Sequence, residues 1–73
     1  MPARMGAIIR AATKLGVSVE PPSSGSHWKF RRPGFRVYPI PAHNGERTEI
    51  SDRYIRALCR ALEIDEQELR GLL

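Results

Sequence analysis

The chain has almost no sulfur chemistry to draw on. Cys59 is its single cysteine, so no internal disulfide can staple a domain of 73 residues, and a reducing cytosol is the expected compartment. No apolar run is long enough to span a bilayer or to form a signal-peptide core, and Met1 to Gly6 carries one arginine with no such core behind it. His27, His43 and Cys59 lack the spacing of a ligand pair, which argues against a metal site. A glycine-rich phosphate loop, a paired-carboxylate site and a serine-triad signature are all missing. Aromatics are few: one Trp, two Tyr and two Phe. A chain of 73 residues buries a modest fraction of its surface, so it is expected to form one domain that is marginally stable or helped by a partner.

Charge is present and unevenly placed. The net charge is +4. Residues 1–47 hold eight Lys/Arg, among them Lys29, Arg31, Arg32, Arg36 and Arg47, against Glu20 and Glu46. Residues 48–73 hold four Arg against six acids. The basic excess therefore surrounds one histidine segment and favours a polyanionic partner there, although a merely solvated basic surface has the same composition.

Periodicity divides the chain into helix, three strands and helix. Met5, Ile8, Ala12 and Leu15 recur at helical steps beside Ile9, and Gly16 suits the position after the helix end. Val17–Glu20 alternates as a short strand. Pro21-Pro22-Ser23-Ser24-Gly25 is a loop, since two prolines cannot donate to a ladder. His27–Arg32 is a second strand, Pro33-Gly34 a turn, and Phe35–Ile40 a third strand that frays or lies at an edge because of Pro39 and Pro41. Residues 42–49 form a polar loop. Ser51 caps a second helix, with Ile50 and Ile55 placed for a hydrophobic staple. Ile55, Leu58 and Leu62, with Tyr54 and Cys59, make its apolar face; Arg53, Arg56 and Arg60 make a basic stripe. Asp65-Glu66-Gln67-Glu68 has a capping-box pattern and opens a last helical turn or two. The predicted fold is α+β: a three-stranded antiparallel sheet covered on one face by two helices, with a short C-terminal third helix.

The segment His27-Trp28-Lys29-Phe30-Arg31 carries the most information. As a strand, it puts His27, Lys29 and Arg31 on one face, each about 7 Å from the last, and Trp28 and Phe30 on the other. If Pro33-Gly34 closes a tight hairpin, Arg31 faces Arg36, Phe30 faces Val37, Lys29 faces Tyr38 and His27 faces Ile40. Two arginines side by side are destabilising unless an anion sits between them. In that register Tyr38 lies on the histidine face and is the better base-stacking candidate, while Trp28 belongs to the core.

Three stretches in this order then resemble the HicA toxins of bacterial toxin–antitoxin pairs. They are Gly25-Ser26-His27-Trp28-Lys29-Phe30, Ile40-Pro41-Ala42-His43-Asn44-Gly45, and the helix with Tyr54-Ile55-Arg56-Ala57-Leu58. The family pattern is a Gly-Ser-His box, a Val/Ile-Pro-x-His segment and a closing helix. The box alone is a weak signal; the three together are fairly specific. The likeness makes residues 1–73 a single HicA-like domain, strongest over 5–64, with 65–73 as a C-terminal extension. Ser24, after two prolines, stands where family members often have a basic residue. The resemblance implies a fold like a double-stranded-RNA-binding domain, an mRNA interferase activity, a catalytic histidine at His27, and a HicB-like antitoxin that covers this face.

Metal-free RNA cleavage needs a base for the 2′-hydroxyl proton, an acid for the leaving 5′-oxygen and cations for the phosphorane charge. On this reading His27 is the general base, Lys29, Arg31 and Arg36 hold the phosphate, and no cofactor or membrane is involved. Ser26 contacts phosphate through its hydroxyl or backbone N–H, or serves only the turn. His43 is the leaving-group acid, a loop contact to RNA or antitoxin, or a plain loop residue. The products are a 2′,3′-cyclic phosphate and a 5′-hydroxyl. Two other readings fit the same residues: a non-catalytic RNA-binding module using Lys29, Arg31, Arg36 and Arg47, and a protein-interaction domain whose basic face meets an acidic partner. The Arg53, Arg56, Arg60 stripe touches RNA backbone or is an ordinary solvated face.

Overall fold

A computed structural model describes all 73 residues. The elements are β1 (Ala3–Arg4), α1 (Met5–Lys14), β2 (Ser18–Glu20), β3 (His27–Arg31), β4 (Tyr38–Pro41), a 3-10 turn (Gly45–Arg47), β5 (Glu49–Ile50), α2 (Asp52–Leu62) and α3 (Glu66–Gly71). The antiparallel sheet β2-β3-β4 is the predicted one. α1 packs on β2, α2 on β4, and α3 against both helices. No helix is long and apolar enough to cross a membrane.

The helix signals act where the sequence puts them. Ser51 caps α2, its hydroxyl accepting the Tyr54 N–H at 3.4 Å, and Asp65 caps α3 through the Glu68 N–H at 3.1 Å. Gly16 follows α1 at φ 86, a left-handed conformation that glycine adopts without Cβ strain. One core gathers Met5, Ile8, Ala11 and Ala12 from α1, Val17, Phe30 and Ile40 around the sheet, and Ile55, Leu58, Cys59 and Leu62 from α2. Burial pushes the Cys59 thiol up, as expected of a small apolar filler and not of a reactive thiol.

The hairpin register differs from the tight one by a single residue. Phe30 pairs with Tyr38, Lys29 with Pro39, Trp28 with Ile40 and His27 with Pro41. Pro33-Gly34 does form a turn: the Phe35 N–H bonds the Arg32 carbonyl at 3.0 Å and Gly34 has φ 86, the signature of a type II turn. That turn sits inside a six-residue loop, 32–37, because its twist does not match flanking strands. The core decides the slip. In the tight register Ile40 would face solvent and Pro39 the core; here Ile40 is fully buried and Val37 is 37% exposed. The Ala42 N–H bonds the Ser26 carbonyl at 2.8 Å, so by alternation Ile40 and Tyr38 also make the ladder bonds. Pro39 and Pro41 fall between them and turn their nitrogens outward. The free edge of β4 therefore offers no N–H at either proline and resists strand addition.

Two features lie outside the sequence reading. β1 pairs with β5, and Met5 N–H bonds the Thr48 carbonyl at 2.8 Å, so the starts of α1 and α2 are held side by side. The extension after Ile64 is not an appendage. Leu69 is fully buried, and Arg70 reaches Glu66 at 2.8 Å, Asp52 at 3.0 Å and the Met1 carbonyl at 2.8 Å.

Candidate active site on the outer face of the sheet

The register fixes what shares a face with His27. Alternation from the paired residues puts Ser18 and Glu20 of β2, His27, Lys29 and Arg31 of β3, and Pro39 and Pro41 of β4 on the outer side. Val19, Trp28, Phe30, Tyr38 and Ile40 point inward, toward the helices. His27, Lys29 and Arg31 are all exposed. An imidazole, an ammonium and a guanidinium thus stand in line on an open surface, backed by the buried Phe30.

The Gly-Ser-His box has a mechanical basis. Gly25 has φ 78, which lets the loop after the two prolines turn into the strand. Ser26 then engages Ala42 through its carbonyl, and this clasp joins the start of β3 to the end of β4. His27 follows the clasp on one strand and His43 on the other. The turn bearing His43 is framed tightly: Gly45 N–H bonds the Ala42 carbonyl at 3.1 Å, and Asn44 N–H bonds Thr48 Oγ1 at 2.8 Å. It is seated on α1 at Gly6, where a Cβ would stand 2.9 Å from Glu46 Oε1 and 3.2 Å from Glu46 Cβ. His43 itself is exposed.

The cations divide into three kinds. Lys29 has no carboxylate partner. Arg31 is held by Glu20, Nη2 at 2.9 Å and Nε at 3.0 Å from the same oxygen, with both side chains about half exposed. Arg32 belongs to the scaffold: its Nη1 donates to the Leu62 and Glu63 carbonyls at the end of α2, where a cation complements the helix dipole. Its guanidinium also lies 5.1 Å from the Phe35 ring centre.

Two expectations about this face need correction. Arg31 and Arg36 are not opposite each other; Arg36 lies in the 32–37 loop, beyond the end of β3 farthest from His27. Tyr38 is on the inner face, where burial first and the Tyr54 phenol second raise its hydroxyl above the ordinary value. Trp28 is half-buried against the core as expected, and its indole N–H is buried without a partner. So the structure lines up His27, Lys29 and Arg31 on one face, sets Ser26 just before them in phase with Trp28 and clasped to Ala42, brings the His43 turn to the same end, and leaves Arg36 apart.

Glu20 is the residue that sequence reasoning missed. It sits opposite Lys29 and diagonal to both Arg31 and His27, a carboxylate inside the cation row. The alternation of Val17, Val19 and Glu20 already assigned it to the solvent face; only the strand pairing reveals its neighbours. No three His, Cys, Asp or Glu side chains converge as a metal site. No family model, no curated protein and no solved structure matches this chain.

Proposed function

We propose that the protein is an endoribonuclease toxin of the HicA kind, which cleaves mRNA in the cytoplasm without a metal and is held inactive by a HicB-like antitoxin. The observation that carries this reading is the exposed His27 in line with Lys29 and Arg31 on the open face of the sheet. A titratable group beside phosphate-binding cations is the minimum that metal-free RNA cleavage requires. The Gly-Ser-His box, the Pro-x-His segment and the closing helix support the same reading.

In this mechanism His27 takes the 2′-hydroxyl proton, the 2′-oxygen attacks phosphorus, and the bond from phosphorus to the 5′-oxygen breaks as His43 or a water molecule gives that oxygen a proton. The phosphate becomes a 2′,3′-cyclic diester. Lys29 and Arg31 stabilise the extra charge on the phosphorane oxygens. Arg31 is free to do so once phosphate replaces Glu20 as its partner. Ser26 and His43 contact RNA at the histidine end, and Arg36 at the far end of the track. An antitoxin laid over this face would cover all of them at once.

Induced expression of the wild type beside His27→Ala, with growth and RNA integrity followed in both, tests the assignment. Arrest and RNA loss with the wild type alone are expected. No arrest with either soluble, folded protein would leave an RNA-binding module or a protein-interaction domain.

A further inference from the structure

We propose that the outer face of α2 is a second phosphate-binding surface, which grips the phosphodiester backbone of single-stranded RNA on the side of the molecule opposite His27. The inference rests on RNA being the ligand of the sheet face, and adds a separate place where that RNA is held.

The geometry comes from the helix itself. Ile55, Leu58, Cys59 and Leu62 are buried, so the opposite side of α2 faces away from the sheet. At 3.6 residues per turn, Arg53, Ala57 and Arg60 fall within about 60° of one another on that side, with Arg56 and Ala61 flanking them. These five residues line one open groove of about 530 Å³. From Arg53 to Arg60 it runs about 10 Å along the helix.

Nothing in the chain neutralises this groove. The ion pairs of the molecule involve only the Met1 ammonium, Arg31 and Arg70. Asp52 is the one acid in α2 and stands one turn before Arg56, but it is taken by the Met1 ammonium at 2.7 Å and Arg70 at 3.0 Å. Three like charges at three- and four-residue steps repel one another in the free helix. A row of anions removes that repulsion.

Phosphate fits the groove better than an acidic protein does. All three cations are arginines, whose planar forks match phosphate oxygens. The floor is only Ala57 and Ala61, so a nucleic-acid backbone can approach closely. No large apolar side chain lines the groove to anchor a protein partner. Tyr54, 39% exposed, flanks the groove on the alanine side and offers a ring on which an unpaired base can stack. Because α2 and the histidine face look outward on opposite sides of the domain, the stripe holds RNA without joining the chemical step.

The test is the salt dependence of binding to a fluorescent 2′-O-methyl oligouridylate of about twenty nucleotides, longer than one module spans. The probe lacks the 2′-hydroxyl, so wild-type protein cannot cut it. The triple variant R53Q/R56Q/R60Q is compared with R4Q/R10Q/K14Q, which removes the same charge from exposed positions elsewhere; melting by circular dichroism verifies both folds. Loss of three phosphate contacts on a single strand lowers the slope of log K against log salt by about 2. That drop is expected in the α2 variant, with the wild-type slope kept in the control. An unchanged slope in the α2 variant, or an equal drop in both, overturns the proposal. A variant that loses polyglutamate binding while keeping its RNA slope also overturns it, in favour of an acidic protein partner. Cleavage of ordinary RNA is read separately: a lowered slope in a protein that never cuts keeps the α2 surface and removes the nuclease.

Discussion

The outer face of the sheet and the outer face of α2 are both basic, both exposed and both backed by the same core, yet they differ in the company their cations keep. On the sheet, Lys29 and Arg31 stand beside an imidazole, and Glu20 already holds Arg31. On α2, Arg53, Arg56 and Arg60 stand beside alanines, with no titratable group between them and no carboxylate paired to them. One face can move a proton as well as bind an anion; the other can only bind. Net charge does not separate the two, because it counts cations without their neighbours. Register and helix azimuth do.

The sharpest way to test the contrast is to remove the one group that makes the sheet face different. His27→Ala is expected to lower RNA cleavage by about 10²- to 10⁴-fold, the usual contribution of a general base. Affinity for uncleavable RNA should stay within about twofold, measured by fluorescence anisotropy, since the cations of both faces remain. A parallel fall in affinity would mean that His27 binds and does not catalyse.

The contrast also supposes one rigid core behind both faces, and the C-terminal helix is the place to break it. Leu69 is fully buried and Leu69→Ala is expected to cost about 2–5 kcal/mol in urea unfolding. A cost below about 0.5 kcal/mol, the scale of an ordinary surface change, would make α3 a dispensable tail. Arg32 offers a more selective probe. Arg32→Gln leaves the carbonyls of Leu62 and Glu63 without their cationic donor and should destabilise by about 1–3 kcal/mol. The RNA salt slope should not move, which would separate this scaffold arginine from the binding ones.

Smaller effects sharpen the sheet face itself. Glu20→Gln frees Arg31, so RNA affinity is expected to rise a few-fold at low salt, with stability changed by less than about 1 kcal/mol. Weaker binding would show that Glu20 orients Arg31 for phosphate and does not compete for it. The smallest effect is on pH dependence. The hydrogen bond from the Met1 ammonium, with Arg70 in support, lowers the Asp52 carboxyl below its ordinary value. A depressed carboxyl stabilises the fold above its unfolded pKa and loses that contribution as pH falls through the folded one. Asp52→Asn should therefore lower the melting temperature at neutral pH and flatten the acid limb, so that its profile meets the wild type's at low pH, where Asp52 is already protonated.

Much of this was legible in the chain because it is local. Helix faces, the Ser51 and Asp65 caps, the Gly16 stop and the phase of His27 against Phe30 depend on residues within a few positions. The hairpin register was not legible. It turns on whether Ile40 or Pro39 is buried, and no span of strand sequence reports the core it will meet. β1 and β5 have two residues each, too few for any period to appear. The partners of Glu20, Arg32 and Arg70 lie 11, 31 and 69 residues away at their farthest, so their roles emerge only with the fold. The candidate site was read to the same depth: its row of side chains followed from alternation, while the carboxylate inside it and the remoteness of Arg36 followed from pairing.

The central claim is that His27 is the base in a metal-free cleavage. The most direct measurement is the end-group analysis of RNA incubated with purified protein in chelator, wild type beside His27→Ala. Ends bearing 2′,3′-cyclic phosphate and 5′-hydroxyl are expected from the wild type, and intact RNA from the variant. Equal cleavage by both folded proteins, or cleavage that disappears in chelator, would contradict that claim.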